Sequence, residues 1–328
     1  MLAESWLSDD MPDLNLEDPF LAKYMIQNTL WWIEYAGLSG VREGNYPYAD
    51  QTFMRRWAKE ILKEYPQLNV VGEIQTKQPA LLSHFQKGSK MPGAFDTQLP
   101  AVIDFPLMAA LQNFLAEKGS LNDVYEVISQ DYLYADPNNL MVCVGNHDTP
   151  RAAFLTEKDY DKCKLAFGIA LTTRGIPQVL YGEEIGLFGG ESSEEICEQF
   201  PGGFPHHSQS ALTEMERNER ENDLYNFFQL LIRLRSQYST LVNGDFYQYP
   251  PNWQSTDVYK YLKMSEYNRI LIMANGSDDV VFVDIEDQWE HLKSYQLLHN
   301  LMDEKSVLLE ENMKVELQPH QFAVFLLR

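Results

Sequence analysis

Five short, almost wholly apolar runs punctuate the first half of the chain, at residues 38–42, 68–73, 101–105, 140–144 and 177–181. Their starts lie 30 to 39 residues apart. Runs this short and this apolar read as strands buried on both faces, and the segments between them as the helices that cover those faces. The clearest helix signal spans 50–65. Phe53, Met54, Trp57, Ala58, Ile61, Leu62 and Tyr65 share one face there, and Asp50 stands where an N-cap belongs. A second spans 218–238, with Leu224, Phe227, Phe228, Leu231 and Leu234 on one stripe. The pattern predicts an α/β fold around a parallel sheet.

Beyond residue 241 the character changes. Alternating runs at 258–262, 269–274, 280–284, 295–298, 313–317 and 322–327 are separated by turn signals such as Asn275-Gly276 and Asn300. No long helical pattern interrupts them. This reads as a small antiparallel β-sandwich. The expected division is therefore 1–241 and 242–328, in line with a prior of about 150 residues per domain.

Composition excludes some classes of partner. The chain has 26 Lys and Arg against 48 Asp and Glu, a net charge of −22. Such a surface repels a polyanion, so no nucleic-acid partner is expected. Cys143, Cys163 and Cys197 have no paired spacing and suggest neither a disulfide framework nor a zinc site. No apolar run approaches the ~20 residues of a membrane-spanning helix. Glu4, Asp9 and Asp10 speak against a basic-then-apolar secretory leader at the start of this sequence.

Three segments carry candidate chemistry. Gly145-Asn146-His147-Asp148 directly follows an apolar run, and the carboxyl end of a parallel strand is where barrel enzymes place catalytic groups. His147 can bond a substrate hydroxyl, and Asp148 can hold a sugar or steer a carboxyl. An Asx turn that satisfies the loop backbone explains the same residues. Val71-Gly72-Glu73 ends a second run. A glutamate there against apolar neighbours would have its pKa raised and can serve as a general acid, or it caps the next loop. In Gly40-Val41-Arg42-Glu43-Gly44, period-2 alternation puts Gly40, Arg42 and Gly44 on one face and Val41 and Glu43 on the other. Arg42 can orient a carboxylate or simply pair with a nearby acid.

Three further strings join these: Met11-Pro12-Asp13-Leu14-Asn15, the run 175–186 (GIPQVLYGEEIG), and Phe200-Pro201-Gly202-Gly203-Phe204. In order and spacing the set resembles the α-amylase family of glycoside hydrolases, family 13. The likeness is greatest to its neopullulanase and cyclomaltodextrinase members, including starch-utilisation enzymes of gut Bacteroidetes, and it runs from Pro12 to the final strand. The resemblance implies a (β/α)8 TIM barrel, of which the five runs would be strands four to eight, followed by a β-sandwich. It also implies retaining hydrolysis of α-1,4 or α-1,6 glucosidic bonds, with α-glucans or malto-oligosaccharides as partners. Carried over by position, Glu73 takes the place of the general acid and Asp148 that of the transition-state-stabilising aspartate. Arg42, Asn146 and His147 take substrate-binding places.

The likeness breaks at the nucleophile. The family has an aspartate two residues after the arginine, and here that position is Gly44, which has no carboxylate to form the covalent intermediate. Glu43, one residue away, belongs to the opposite face. Asn45 replaces a small residue, Gln75 an aromatic one, and Ile196, Glu198 and Gln199 replace charged residues before the Phe-Pro-Gly-Gly-Phe string. The first three barrel strands have no counterpart in this sequence. The family's calcium site, built partly from that region, is expected to be incomplete, and no other cofactor is implied. The combination reads as a truncated chain, a gene remnant or one part of a split gene. Hydrolysis is expected to be negligible, and a Gly44→Asp change is expected not to rescue it unless the earlier strands are supplied.

Two non-catalytic roles follow from the same residues. The chain can bind glucan, with Tyr46, Tyr48 and Phe204 stacking on sugar rings and Arg42, His147 and Asp148 gripping hydroxyls. It can also assemble with a second copy or a complementing fragment through an open barrel edge. Trp31, Trp32 and Trp57 are expected to pack between helix and sheet, and the acidic stretch 191–198 to form a solvated loop. Family relatives are often periplasmic or secreted, and the sequence itself does not assign a compartment.

Overall fold

A computed structural model describes residues 10–44, 46–93, 95–251 and 257–328. Asn45 lies outside the described residues. The contacts divide the chain into two compact units, one formed by Met1–Pro106 with Gln130–Val142, the other by Leu107–Ser129 with Cys143–Arg328.

The first unit holds four short strands, β1 (Gly40–Glu43), β2 (Asn69–Gly72), β3 (Ala101–Ile103) and β4 (Leu140–Val142). They pair in parallel and in sequence order, with Arg42 beside Val71, Val71 beside Ala101 and Val102 beside Leu140. The helix Pro19–Ala36 leads into β1. Asp18 caps it by accepting the Phe20 and Leu21 N–H groups, and Gly37, at φ +63°, ends it in the left-handed conformation that glycine favours. The helix Gln51–Glu64 leads into β2, with the Asp50 side chain accepting the Phe53 N–H. Its buried residues, Phe53, Met54, Trp57, Ala58 and Ile61, are the face its spacing predicts. They form one core with Ile26, Ile33, Val70, Val102 and Leu140. Trp57 joins that core, but Trp31 and Trp32 do not. Both are about half exposed, on the side of their helix away from Ala22, Ile26 and Ile33. The expected helix-to-sheet packing of these two is thereby corrected: the helix buries one narrow arc of side chains, and both tryptophans fall outside it.

The second unit contains the fifth apolar run. It gives only a two-residue strand, β5 (Ile176–Pro177), rather than 177–181. Pro177 offers no N–H to a ladder, and Gly182, at φ +84°, turns the chain soon after. The helix Tyr160–Thr172 is almost entirely buried. The helix Glu219–Gln237 starts with a capping box of Asn218 and Glu221. Antiparallel pairing begins at β6 (Asp245–Tyr249) and continues through β7 (Val258–Met264), β8 (Arg269–Asn275), β9 (Val281–Asp284), β10 (Leu297–Asn300), β11 (Ser306–Leu308), β12 (Lys314–Leu317) and β13 (Phe322–Leu327). One sheet has the order β11-β10-β13-β8-β7-β6 and the other pairs β12 with β9. Leu262, Leu271, Met273 and Phe325 of the first sheet share a core with Val281, Val283, Val315 and Leu317 of the second.

Compactness and strand type divide the chain differently. Helix Tyr160–Thr172 belongs to the same unit as the antiparallel sheets. Thr172 Oγ1 and Tyr261 Oη lie 2.6 Å apart, and a Cβ on Gly168 would come within 2.6 Å of the Phe322 ring. Only glycine permits that approach of helix to sheet.

Candidate active site

In the first unit, β1 and β2 bring two of the singled-out residues together. Glu73 follows β2 directly, and its N–H donates to the Glu43 carbonyl at 2.9 Å. This bond extends the parallel ladder by one rung and fixes where the Glu73 side chain starts. Its carboxylate is buried, with 2% of the side chain exposed, and pairs with the Arg42 guanidinium, which is 42% exposed. Gln75 Nε2 donates to the other carboxylate oxygen at 3.2 Å. Glu73 is buried, and its polar partners are a cation and an amide, because Arg42 on the adjacent strand points to the same side.

Gly44 faces this pair. A Cβ built there would lie 3.7 Å from Arg42 Nη1 and 3.7 Å from Glu73 Oε2, ordinary contact distances. A side chain at 44 is therefore directed toward the pair, with its Cβ in contact with it. Glu43 is partly buried, in the alternate register of β1. Its charge acts on Tyr46 as a secondary influence on a phenol whose pKa burial pushes far up. Tyr46 is fully buried and donates to the Thr97 carbonyl at 3.3 Å. The expectation that Tyr46 stacks on sugar is corrected on that ground: its ring is core. Tyr48 is partly exposed, and Phe204 is about half exposed.

In the second unit, Asn146, His147 and Asp148 form the loop after β4. The Asn146 N–H donates to Thr149 Oγ1 at 2.9 Å, and Asn146 Oδ1 accepts the Asp148 N–H at 2.9 Å. This is the Asx turn that the sequence allowed. The turn buries Asn146 and leaves the side chains of His147 and Asp148 in solvent, with Nε2 and Oδ2 3.5 Å apart.

A buried pair in the same unit escaped the sequence reading. Arg151, three residues past Asp148, is fully enclosed. Its Nε and Nη2 donate to the Ile196 carbonyl at 3.0 and 2.8 Å, and its Nη1 to the Tyr181 carbonyl at 2.7 Å and to Glu183 Oε1 at 3.5 Å. The guanidinium also lies 5.1 Å from the centre of the Tyr181 ring. Burial pushes the Glu183 carboxyl up to about 7, against the opposing pull of Arg151. The signals available were an arginine just after Asn-His-Asp and a glutamate within the Tyr-Gly-Glu-Glu string. Neither spacing reveals that they meet. Through Ile196, Arg151 also anchors the acidic stretch expected to be a solvated loop: that stretch holds a helical turn, Ser193–Ile196, with Ile196 buried.

Among the described residues, no three His, Cys, Asp or Glu side chains converge on a possible metal position. Also among the described residues, no helix is long and apolar enough to cross a membrane.

Residues 5–201 match the family model of the α-amylase catalytic domain. The chain is 25% identical over 322 residues to a maltogenic α-amylase of Bacillus acidopullulyticus, covering 97% of this chain and 50% of that protein. It is 25% identical over 323 residues to a cyclomaltodextrinase of Geobacillus thermopakistaniensis, covering 96% and 49%. Its fold is similar to that of the α-amylase of Geobacillus thermoleovorans solved with acarbose, with a TM-score of 0.80 at 21% identity over 99% of this chain and 68% of that one. The chain spans about half the length of the curated relatives it matches.

Proposed function

The chain belongs to the α-amylase family, and from that premise we propose that it is an α-glucan-binding member with negligible hydrolytic activity as it stands. In this reading β1 to β4 and β5 correspond to strands four to eight of a (β/α)8 barrel within 1–241, and 242–328 form the β-sandwich. The family match over residues 5–201 and the parallel order of β1 to β4 support that correspondence. Glu73 stands as the proton donor to a glucosidic oxygen, and Asp148 as the carboxylate that stabilises the oxocarbenium-like transition state. Arg42 and His147 hold the sugar.

One observation carries the proposal: the side-chain direction at Gly44 leads to Arg42 and Glu73, and nothing there can attack an anomeric carbon. A retaining reaction forms a bond from a carboxylate oxygen to that carbon as the bond to the leaving oxygen breaks, and Glu73 supplies the leaving group's proton. Without the nucleophile the first bond has no donor. Losses of a covalent nucleophile cost on the order of 10⁴-fold or more in rate.

The purified chain is expected to release no measurable reducing sugar from cyclodextrin or pullulan, while maltoheptaose gives a saturable heat of binding. A covalent adduct with a fluorinated glucoside, detected by mass spectrometry on the wild-type chain, would overturn the reading.

A second reading, self-association, is favoured by the helix Pro19–Ala36. Phe20, Tyr24, Trp31 and Tyr35 are exposed along one stripe opposite the buried Ala22, Ile26 and Ile33. In an antiparallel pair of such helices about a two-fold axis level with Gln27 and Asn28, Phe20 meets the partner's Tyr35 and Tyr24 meets the partner's Trp31. Lys23 then lies within a turn of the partner's Glu34. Light scattering is expected to show a dimer that Trp31→Ser shifts toward monomer. A monomer at high concentration removes this reading.

A further inference from the structure

β11 (Ser306–Leu308) is the outermost strand of the six-stranded sheet, and among the described residues no strand lies on its far side. It pairs antiparallel with β10, Leu308 beside Leu297 and Ser306 beside His299. The Lys305 carbonyl accepts the Asn300 N–H at 2.7 Å, and the Leu309 N–H donates to the Gln296 carbonyl at 2.8 Å. Antiparallel bonding alternates along a strand, so residues 305, 307 and 309 bond toward β10. The N–H and C=O groups of Ser306, Leu308 and Glu310 then face outward. The Glu310 carbonyl accepts the Met313 N–H at 3.1 Å and keeps a second lone pair.

Such an edge is a template for another strand, and native edges are commonly blunted by proline or by a charge within the strand. Ser306-Val307-Leu308-Leu309 contains neither. It exposes 46% of Val307 and 69% of Leu308, and successive residues of a strand lie on opposite faces. The charges stand at its two ends, Lys305 before it and Glu310 and Glu311 after it, all exposed.

That order of charges selects the occupant. Laid antiparallel against itself, the segment meets opposite charge at each end. A two-fold axis at Leu308, perpendicular to the sheet, sets Leu308 opposite the partner's Leu308, with N–H to carbonyl bonds in both directions. Ser306 then pairs with the partner's Glu310, Val307 with the partner's Leu309 and Lys305 with the partner's Glu311. Each outward N–H of Ser306, Leu308 and Glu310 finds a carbonyl. Moving the axis to Val307 instead sets Glu304 against the partner's Glu310, and like charges directly opposite are unfavourable.

We infer that β11 is an interaction edge for a second copy of this chain, joined about a two-fold axis at Leu308 into one continuous sheet. The contact uses neither the proposed glucan-binding residues nor the exposed stripe of the helix Pro19–Ala36. A few paired residues fall short of the ~800 Å² per partner of a standard interface, so the contact is weak and reversible. Two chains of net charge −22 repel at long range, and physiological salt screens that repulsion beyond ~8 Å.

Trapping by a disulfide tests both the contact and its register, in the full chain at physiological salt with the exposed Cys197 replaced by Cys197→Ser. Opposed residues of an antiparallel ladder have Cα atoms ~4.5–5.5 Å apart, within disulfide reach. Diagonal neighbours, at ~7–8 Å, are beyond it. Under copper-catalysed air oxidation Leu308→Cys is expected to give a linked dimer faster than Tyr267→Cys, a control at another exposed position. Val307→Cys alone should not link, whereas Val307→Cys mixed with Leu309→Cys should. Lys305→Glu is expected to slow the Leu308→Cys dimer about tenfold, since the symmetry counts each ion pair twice. Glu311→Lys should do the same, and the two changes together should restore the rate. Trp31→Ser should leave it as it was, and melting curves should match for all variants. If Leu309→Cys lowers the melting point, the Val307→Cys self-linking and the charge swap decide. Leu308→Cys linking no faster than Tyr267→Cys, Val307→Cys linking to itself as fast as Leu308→Cys, or a charge swap that fails to restore the rate each overturns the inference.

Discussion

The pairs Arg42–Glu73 and Arg151–Glu183 are built from the same residue types and sit in different surroundings. Arg42 and Glu73 come from adjacent parallel strands, and the guanidinium keeps a solvent-exposed side. A Cβ at Gly44 would stand in ordinary contact with both. Arg151 and Glu183 are both enclosed, and the guanidinium also donates to the carbonyls of Tyr181 and Ile196. The first pair has a guanidinium face open to water. The second is shielded from water and ties two stretches of backbone to one side chain. An ion pair is therefore informative about function only when it is read with the access around it.

The largest expected effect tests the closed pair. Arg151→Met would remove a buried cation and strand the Ile196 and Tyr181 carbonyls together with the Glu183 carboxyl. Breaking a buried pair in this way costs about 3–5 kcal/mol, which urea unfolding would read as a large drop in midpoint. A loss no greater than that of an exposed pair would erase the distinction drawn between the two. The next effect depends on pH. Burial raises Glu183 from 4.5 to about 7 in the folded chain, so between those values the folded state holds its proton more tightly than the unfolded one. Stability is then greatest at the acid end of the window and falls as pH rises through 7, with a slope of up to about 1.4 kcal/mol per pH unit. Glu183→Gln should flatten that slope. Asp257, also raised by burial, to about 6, contributes in the same direction in both proteins and cancels in the difference. Parallel stability curves for wild type and variant would show that Glu183 is not the group responsible.

Much of this was legible from the residues. The helix at Gln51–Glu64 follows directly from its apolar spacing, and Asp50 announces its start. The alternation after residue 241 predicts β7, β8, β9, β10, β12 and β13 within a residue or two. β6 and β11 carry weaker patterns, because side chains of an outer strand such as β11 are exposed on both faces. At the candidate site, period-2 alternation gives the shared side of Arg42 and Gly44. It does not reveal that Arg42 lies on Glu73, since that depends on the register of two strands about 30 residues apart in sequence. Arg151 and Glu183 were invisible for the same reason. Tyr46 misled because an aromatic next to a polar motif looks like a ligand platform, and only packing shows it to be core.

The smallest effects separate the two readings of the loop after β4, and they extend the contrast between closed and open groups from pairs to single residues. Asn146 is buried and accepts the Asp148 N–H through its side chain, so Asn146→Ala removes a turn-forming bond and should cost about 1 kcal/mol. Arg42→Met, which leaves the Glu73 carboxylate with only Gln75, should cost about 1–3 kcal/mol and weaken maltoheptaose binding as well. Asp148→Asn changes an exposed side chain and keeps the backbone N–H that the turn uses. Its stability should stay within about 0.5 kcal/mol of wild type, while maltoheptaose affinity falls. Thermal melting and calorimetric titration on the three variants then sort them: Asn146→Ala loses mainly stability, Arg42→Met loses both, and Asp148→Asn loses mainly binding. If Asp148→Asn destabilised the fold as much as Asn146→Ala and left binding intact, Asp148 would belong with the enclosed, structural groups rather than with the open ones.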